Sequence, residues 1–173
     1  FRVEKNNARY TDAITNIQVA TGDSDRVQGF EFGVTGKITH AWDVQASYTY
    51  MDSTITRGAI SAFSPTPSKG NRVPYVSRHG LSVWTTYDLT TLFRKMPGRL
   101  MVGGGFTYRS LYYVDDSMLE RIPGAVTADG MLSYDINRYH AAVNVQNMNN
   151  ALSYSSAFGN GYATPSAGRT VIG

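Results

Sequence analysis

Alternation of apolar and polar residues with a period of two dominates this chain, and that period belongs to β-strands with two unlike faces. Phe30, Phe32, Val34 and Ile38 fall on one face, and Glu31, Gly33, Thr35 and Lys37 on the other. Trp42, Val44, Ala46, Tyr48 and Tyr50 oppose Asp43, Gln45, Ser47 and Thr49. The same pattern recurs over residues 81–89, 100–109, 126–136 and 139–146. These runs are longer than the ~5–6 residues usual for strands of soluble proteins and match the ~9–11 needed by a tilted membrane strand.

The connections carry an independent signal. Residues 7–25, 56–77, 113–124 and 149–168 read as long connections. His40-Ala41, residues 90–98 and Asn137-Arg138 read as short ones. Long and short alternate along the chain, as the extracellular loops and periplasmic turns of outer-membrane barrels do. The loops centred near Thr15, Phe63, Met118 and Phe158 are therefore expected outside the cell. Trp42, Tyr87, Phe93, Tyr134 and Tyr139 would form the periplasmic aromatic girdle; Tyr48, Tyr50, Phe106, Tyr108 and Tyr112 would form the extracellular one. The predicted fold is all-β: an antiparallel, up-and-down transmembrane β-barrel. About seven strands with two open edges cannot close a barrel. The chain, opening at Phe1 and stopping just after Arg169-Thr170-Val171-Ile172, is expected to be part of a larger one.

Composition narrows the function. Charged residues are 17% of the chain, against roughly 25% in soluble domains. There is no run approaching the ~20 apolar residues of a membrane helix. The net charge of +3 is spread over scattered Lys and Arg, which gives no footprint for nucleic acid. The absence of cysteine removes disulfides and thiolate metal sites. Ser77, His79 and Ser82 are the nearest approach to a hydrolytic set, but His79 and Ser82 differ in strand parity and face opposite ways, so no enzyme is expected. Gly103-Gly104-Gly105 lacks the Lys-Ser/Thr and helix of a phosphate loop; in a strand it permits close approach.

Several segments together resemble one family. Arg26-Val27-Gln28-Gly29-Phe30-Glu31 is similar to the R-x-x-G-x-E strand start of TonB-dependent receptors. Residues 42–51 resemble the strand that follows there, and residues 74–87 the P-x-x-x-x-x-L-x-x-W-x-x-Y strand. Gly103-Gly104-Gly105 with Tyr108-Arg109-Ser110 is similar to G-x-G-x-x-Y-R-S, and Ile122-Pro123-Gly124 with residues 126–134 to the next strand. Asn144-Val145-Gln146-Asn147-Met148-Asn149-Asn150 resembles the N-x-x-N-L-x-D/N motif before the final loop, and Gly168-Arg169-Thr170-Val171 the start of the last strand. The chain is identified on these grounds as a member of the siderophore-receptor branch, catecholate or hydroxamate type.

This resemblance implies that residues 1–173 are the C-terminal part of a 22-stranded barrel in the bacterial outer membrane, with the plug domain absent. It implies uptake of ferric siderophore energised by the TonB complex, which would engage the missing plug region. The chain would contact outer-membrane lipid and supply wall and loops. It would hold no cofactor of its own, and iron would arrive bound within the siderophore. Glu31, Lys37, Gln45, Arg109, Asp129, Asp135 and Asn144 on the polar face could meet the plug or simply hydrate and pair across the lumen. An anionic iron complex calls for cations and aromatic rings on the loops. The candidates are Arg57, Phe63, Arg72, Tyr75, Arg109, Tyr112, Tyr113, Tyr154 and Phe158, with Lys69, Arg121 and Tyr162 nearby. A passive porin or adhesin-like barrel is the alternative function, and a soluble β-sandwich binding module the alternative fold.

Overall fold

The structure is a computed structural model describing residues 1–6, 9–11, 17–20, 23–58, 68–93, 95–158 and 161–173. In chain order the strands are β1 (Arg2–Asn6), β2 (Arg9–Thr11), β3 (Gln18–Ala20), β4 (Ser24–Thr39), β5 (Trp42–Arg57), β6 (His79–Asp88) and β7 (Arg99–Arg109). There follow β8 (Tyr112–Tyr113), β9 (Arg121–Ile122), β10 (Ala125–Ile136), β11 (Tyr139–Gln146), β12 (Tyr154–Phe158), β13 (Tyr162–Pro165) and β14 (Thr170–Ile172). One 3₁₀ turn, Leu89–Thr91, follows β6 and is capped by the Asp88 carboxylate, which accepts from the Thr90 amide.

Eight strands form one antiparallel sheet in the order β1-β4-β5-β6-β7-β10-β11-β14. The sequence pattern suggests about seven; the eighth, β14, is three residues long and too short to show a period. The three remaining pairs, β2/β3, β8/β9 and β12/β13, are small hairpins set into connections between sheet strands. They share one end of the sheet with the loop residues 68–78, and among the described residues the other end carries the short connections that follow β4, β6 and β10. The long–short alternation is thus a physical separation into a loop end and a turn end. Among the described residues no second large sheet packs on the first, so the sandwich alternative lacks its defining feature.

Directly paired residues of antiparallel strands point to the same face, so the register assigns both faces. One row runs Phe32, Tyr48, Leu81, Tyr108, Val126; another runs Tyr87, Val102, Leu132, Val143. This face is apolar and uncovered: Phe32 is 64% exposed and Ile38 61%. Polar atoms on it are satisfied locally. The Trp42 indole N–H donates to Thr85 Oγ1 (2.6 Å), and that hydroxyl donates to the Asp43 carbonyl (2.9 Å). An apolar outer face with internally bonded polar groups is what a hydrocarbon solvent requires.

The opposite face is polar. It carries Lys37 beside Asp43, Gln45 beside Trp84, and Asp135 beside both Arg99 and His140. Here the triple glycine finds its use. The Trp84 side chain lies against β7, and a Cβ on Gly105 would stand 2.1 Å from the Val83 carbonyl oxygen and 2.8 Å from Trp84 Cε3. Gly103 likewise faces Trp84 Cζ2 at 3.1 Å. Glycine lets the indole lie flat on the wall.

Strands β4 and β5 have 16 residues each. At ~3.4 Å per residue each is about 54 Å long, more than a bilayer demands even when tilted. Their loop-end portions therefore project beyond the apolar band. There the outer face turns polar, with Arg26, Gln28, Asp52 and Thr54 in register.

Candidate functional site

The loop end holds a hydrophobic cluster of buried side chains, Tyr112, Val114, Ile122 and Ala157, with Tyr154 and Ala163 packed against it. It joins hairpin β8/β9 to hairpin β12/β13. Each hairpin is shaped by polar side chains. The Asp115 carboxylate accepts from the Leu119 and Glu120 amides (3.1 and 3.3 Å), closing the β8/β9 turn.

The final loop is stitched by three asparagines. Asn147, 7% exposed and at φ 49°, donates to the Ala151 and Ala167 carbonyls and accepts from the Ala151 amide. Asn149 accepts from the Ala128 amide and donates to the Val126 carbonyl, so its side chain extends the β10 ladder like a backbone unit. The Asn150 side chain accepts from the Arg169 amide. Asp129 accepts from the Asn147 amide at 2.8 Å, which makes it an anchor of this loop.

Two adjoining cavities open between this loop and the polar face of the sheet. One, of about 270 Å³, is lined by Thr107, Arg109, Ala125, Thr127, Ser153, Tyr154, Ser155 and Ser166. The other, of about 330 Å³, is lined by Thr127, Asp129, Gln146, Asn147, Ser153, Ser166, Ala167 and Gly168. They share Thr127, Ser153 and Ser166, and Arg109 is their one cation. Its guanidinium lies 4.8 Å above the Tyr112 ring centroid and donates to the Tyr154 carbonyl (3.0 Å). That contact leaves the other N–H groups of the arginine for a ligand.

The loop over 68–78 docks on the same cluster. The Tyr75 amide donates to the Tyr113 carbonyl (2.8 Å), and its ring sits 6.3 Å from that of Tyr112. Tyr75 is 56% exposed, whereas Tyr112 is 5% exposed. Arg72 lies below, with its pKa lowered from the usual arginine value, first by burial and then by the neighbouring Arg78 cation; it stays charged.

The structure therefore brings together Arg72, Tyr75, Arg109, Tyr112, Tyr113 and Tyr154. Tyr112 serves the loop core, away from the extracellular girdle where its position in sequence suggested it would lie. Arg57 stands apart at the end of β5, paired in register with Ser24. Phe158 lies opposite Tyr162 on β12/β13, 63% and 71% exposed. Phe63 lies outside the described residues. The hydroxyls of Thr107, Thr127, Ser153 and Ser166, and the Arg78–Asp52 pair (3.8 Å), escape the sequence because separate segments supply them. His79 bonds Tyr48 on the apolar face, while Ser82 pairs with Ser47 and Thr107 on the polar one, so these two are not a catalytic pair.

An eight-stranded antiparallel sheet with a lipid-type outer face, a polar inner face, turns at one end and folded loops at the other defines a wall segment of an outer-membrane β-barrel. The comparisons name the family: the TonB dependent receptor-like, beta-barrel family matches residues 1–150, and the chain belongs to it. The probable TonB-dependent siderophore receptor PiuA of Acinetobacter baumannii is 33% identical over 99% of this chain. The crystal structure of the PiuA siderophore receptor superposes with a TM-score of 0.81 over 98% of the chain at 31% identity. The catecholate siderophore receptor Fiu of Escherichia coli K12 is 31% identical over 65% of the chain, and its structure superposes with a TM-score of 0.72. The chain spans 23% of the PiuA sequence and 14% of the Fiu sequence. Membership places it in the outer membrane.

Proposed function

We propose that the protein to which this chain belongs takes up ferric siderophore across the outer membrane, energised by TonB. The observation that carries this reading is the likeness to a siderophore receptor in both sequence and structure along nearly the whole chain. The segment is the C-terminal part of the barrel and supplies wall and extracellular loops, since long loops of such barrels face outward. Iron arrives as cargo inside its chelator. The plug, which would receive the TonB contact, lies elsewhere in the protein and faces the polar wall at Glu31, Lys37, Gln45 and Asn144.

The loop-end cluster is the capture surface. Arg109 offers charge-assisted donors at the mouth of a hydroxyl-lined cavity, and Tyr75 an exposed ring. Tyr113, Tyr154 and Arg72 complete the group, and Phe158 extends it at the hairpin. Cations offset the charge of an anionic complex, and rings pack on its aromatic groups. The test is uptake of radioactive iron as ferric catecholate by iron-starved cells whose only receptor is this protein. Uptake should need TonB and an energised membrane. Uptake that proceeds without TonB and follows concentration alone would support the passive porin instead.

A further inference from the structure

On the outer face, the rows of paired residues change character toward the loop end. One row joins Phe32, Tyr48 and Leu81, and the next joins Phe30, Tyr50 and His79. Their rings form a continuous patch. Phe30 and Tyr50 stack at 5.5 Å, His79 lies 5.3 Å from Tyr50, and the Tyr48 hydroxyl is 2.8 Å from His79 Nδ1. Rings with one polar end settle where hydrocarbon gives way to headgroups. One row higher stand Arg2, Gln28 and Asp52, and above them Glu4, Arg26 and Thr54. At ~3.4 Å per residue, this charged border begins about 7 Å beyond the row of Phe30 and Tyr50. That is headgroup depth.

The 68–78 loop adds two cations to the border. Arg78 reaches Asp52 at 3.8 Å, and Arg72 has Arg78, Asp52 and Tyr50 among its neighbours. Glu4 is already paired with Arg2. Four guanidiniums thus meet two carboxylates, and among the described residues Arg26 and Arg72 form no ion pair. The surplus is positive, on a face whose next rows belong to lipid. A groove of about 430 Å³ runs between the rings and the charges, lined on this face by Arg2, Gln28, Phe30, Tyr50 and Asp52. Rings below and guanidinium above suit an amphiphile, with an acyl chain on the rings and an anion at the arginines. Guanidinium matches the oxygens of a phosphate with parallel N–H groups.

We propose that this border binds a phosphate-bearing glycolipid of the outer leaflet. Arg2 and Arg78 contact its phosphate, and the patch of Phe30 and Tyr50 lies under its acyl chains. The site is on the opposite side of the wall from the hydroxyl-lined cavities, so it is separate from what the loops capture. It uses only the outward orientation of the loop end from the reading above.

The test is native mass spectrometry of the full-length receptor in detergent, titrated with two lipids. Lipid A carries phosphate monoesters on a sugar, and phosphatidylglycerol carries a single phosphodiester. Wild type should hold lipid A at least about tenfold more tightly. Arg2→Gln and Arg78→Gln should each weaken lipid A by about fivefold, the usual contribution of one cation at a charged lipid surface. Lys5→Gln removes the same charge from the opposite face of β1, where Lys5 pairs with Asp25, and should leave the affinity unchanged. Asp52→Asn should tighten lipid A by about fivefold, because it takes an anion out of the groove and frees Arg78; a misfolded variant does not gain affinity. Millimolar inorganic phosphate should displace nothing, since the acyl chains hold the lipid in place. Equal or tighter retention of phosphatidylglycerol overturns the site. So does an equal loss in Lys5→Gln and Arg2→Gln, which would mean general attraction by charge. Weaker binding by Asp52→Asn, or displacement of lipid A by inorganic phosphate, overturns it as well. All of these results leave the uptake reading to its own test, the TonB dependence of iron uptake.

Discussion

Replacing Gly105 by alanine tests how the wall is built. In an ordinary extended strand this change stabilises by about 0.4–1 kcal/mol, by restricting the unfolded chain. Here the added methyl would stand 2.1 Å from the Val83 carbonyl oxygen and 3.0 Å from Trp84 Cα, both backbone atoms of the paired strand. Neither can retreat unless β6 and β7 part, so the overpacking cost of roughly 1–3 kcal/mol applies at its upper end. At Gly103 the nearest atoms are Trp84 Cζ2, Met131 Cε and Thr86 Cγ2 at 3.1–3.2 Å, side-chain ends that can yield. The two alanine variants should therefore diverge, Gly105→Ala losing about 2 kcal/mol or more and Gly103→Ala staying within about 1 kcal/mol of wild type. Guanidinium unfolding of the full-length receptor, followed by its heat-modifiable mobility on gels, gives both numbers. Removing the indole with Trp84→Leu should not rescue Gly105→Ala, because the carbonyl clash remains. Equal stability of the two glycine variants, or full rescue by Trp84→Leu, would refute this packing.

Other outcomes follow from the faces and the loops. Val34→Arg, on the uncovered apolar face midway between Phe30 and Ile38, should cost about 2–4 kcal/mol in lipid vesicles, whereas Thr35→Arg on the polar face should cost little; equal costs would contradict the face assignment. Asn147→Ala removes three side-chain hydrogen bonds of a buried residue. At ~1 kcal/mol each, the final loop should lose about 2–3 kcal/mol of local stability, seen as faster amide exchange over residues 147–168. Arg109→Gln should weaken ferric-catecholate binding by about tenfold while the melting temperature moves little, since its charge is solvent-exposed and it bonds a loop carbonyl, that of Tyr154. Unchanged affinity would remove Arg109 from the capture surface.

The strands were legible because each face meets one kind of solvent. Trp42 to Tyr50 alternates without a break, and its partners on β4 and β6 repeat the same parity. The strand ends were not legible. Above the apolar band the outer face turns polar while the other is packed under the loops, burying Ser53 as well as Ile55, so Asp52, Ser53 and Thr54 carry no period although β5 continues to Arg57. Residues of the site were legible by type alone. Arginines and tyrosines on loops stand out, but a sequence does not separate Tyr75, whose ring is open, from Tyr112, whose ring is packed away. Ser153 and Ser166 meet Thr107 and Thr127 only once the final loop folds back over β7 and β10. The asparagines of residues 147–150 were read through a family motif. Their chemistry, amide side chains substituting for missing backbone partners, needs the folded loop.

The central claim is that this sheet is a barrel wall with lipid on one face and a polar lumen on the other. It is tested most directly by placing a nitroxide at each residue from 42 to 50 in turn, in the full-length receptor in lipid bilayers, and measuring collisions with oxygen and with a polar nickel chelate. The account predicts high oxygen accessibility at 42, 44, 46, 48 and 50 and low accessibility at 43, 45, 47 and 49. A profile without that period, or one in which the even positions favour the nickel chelate, would contradict it.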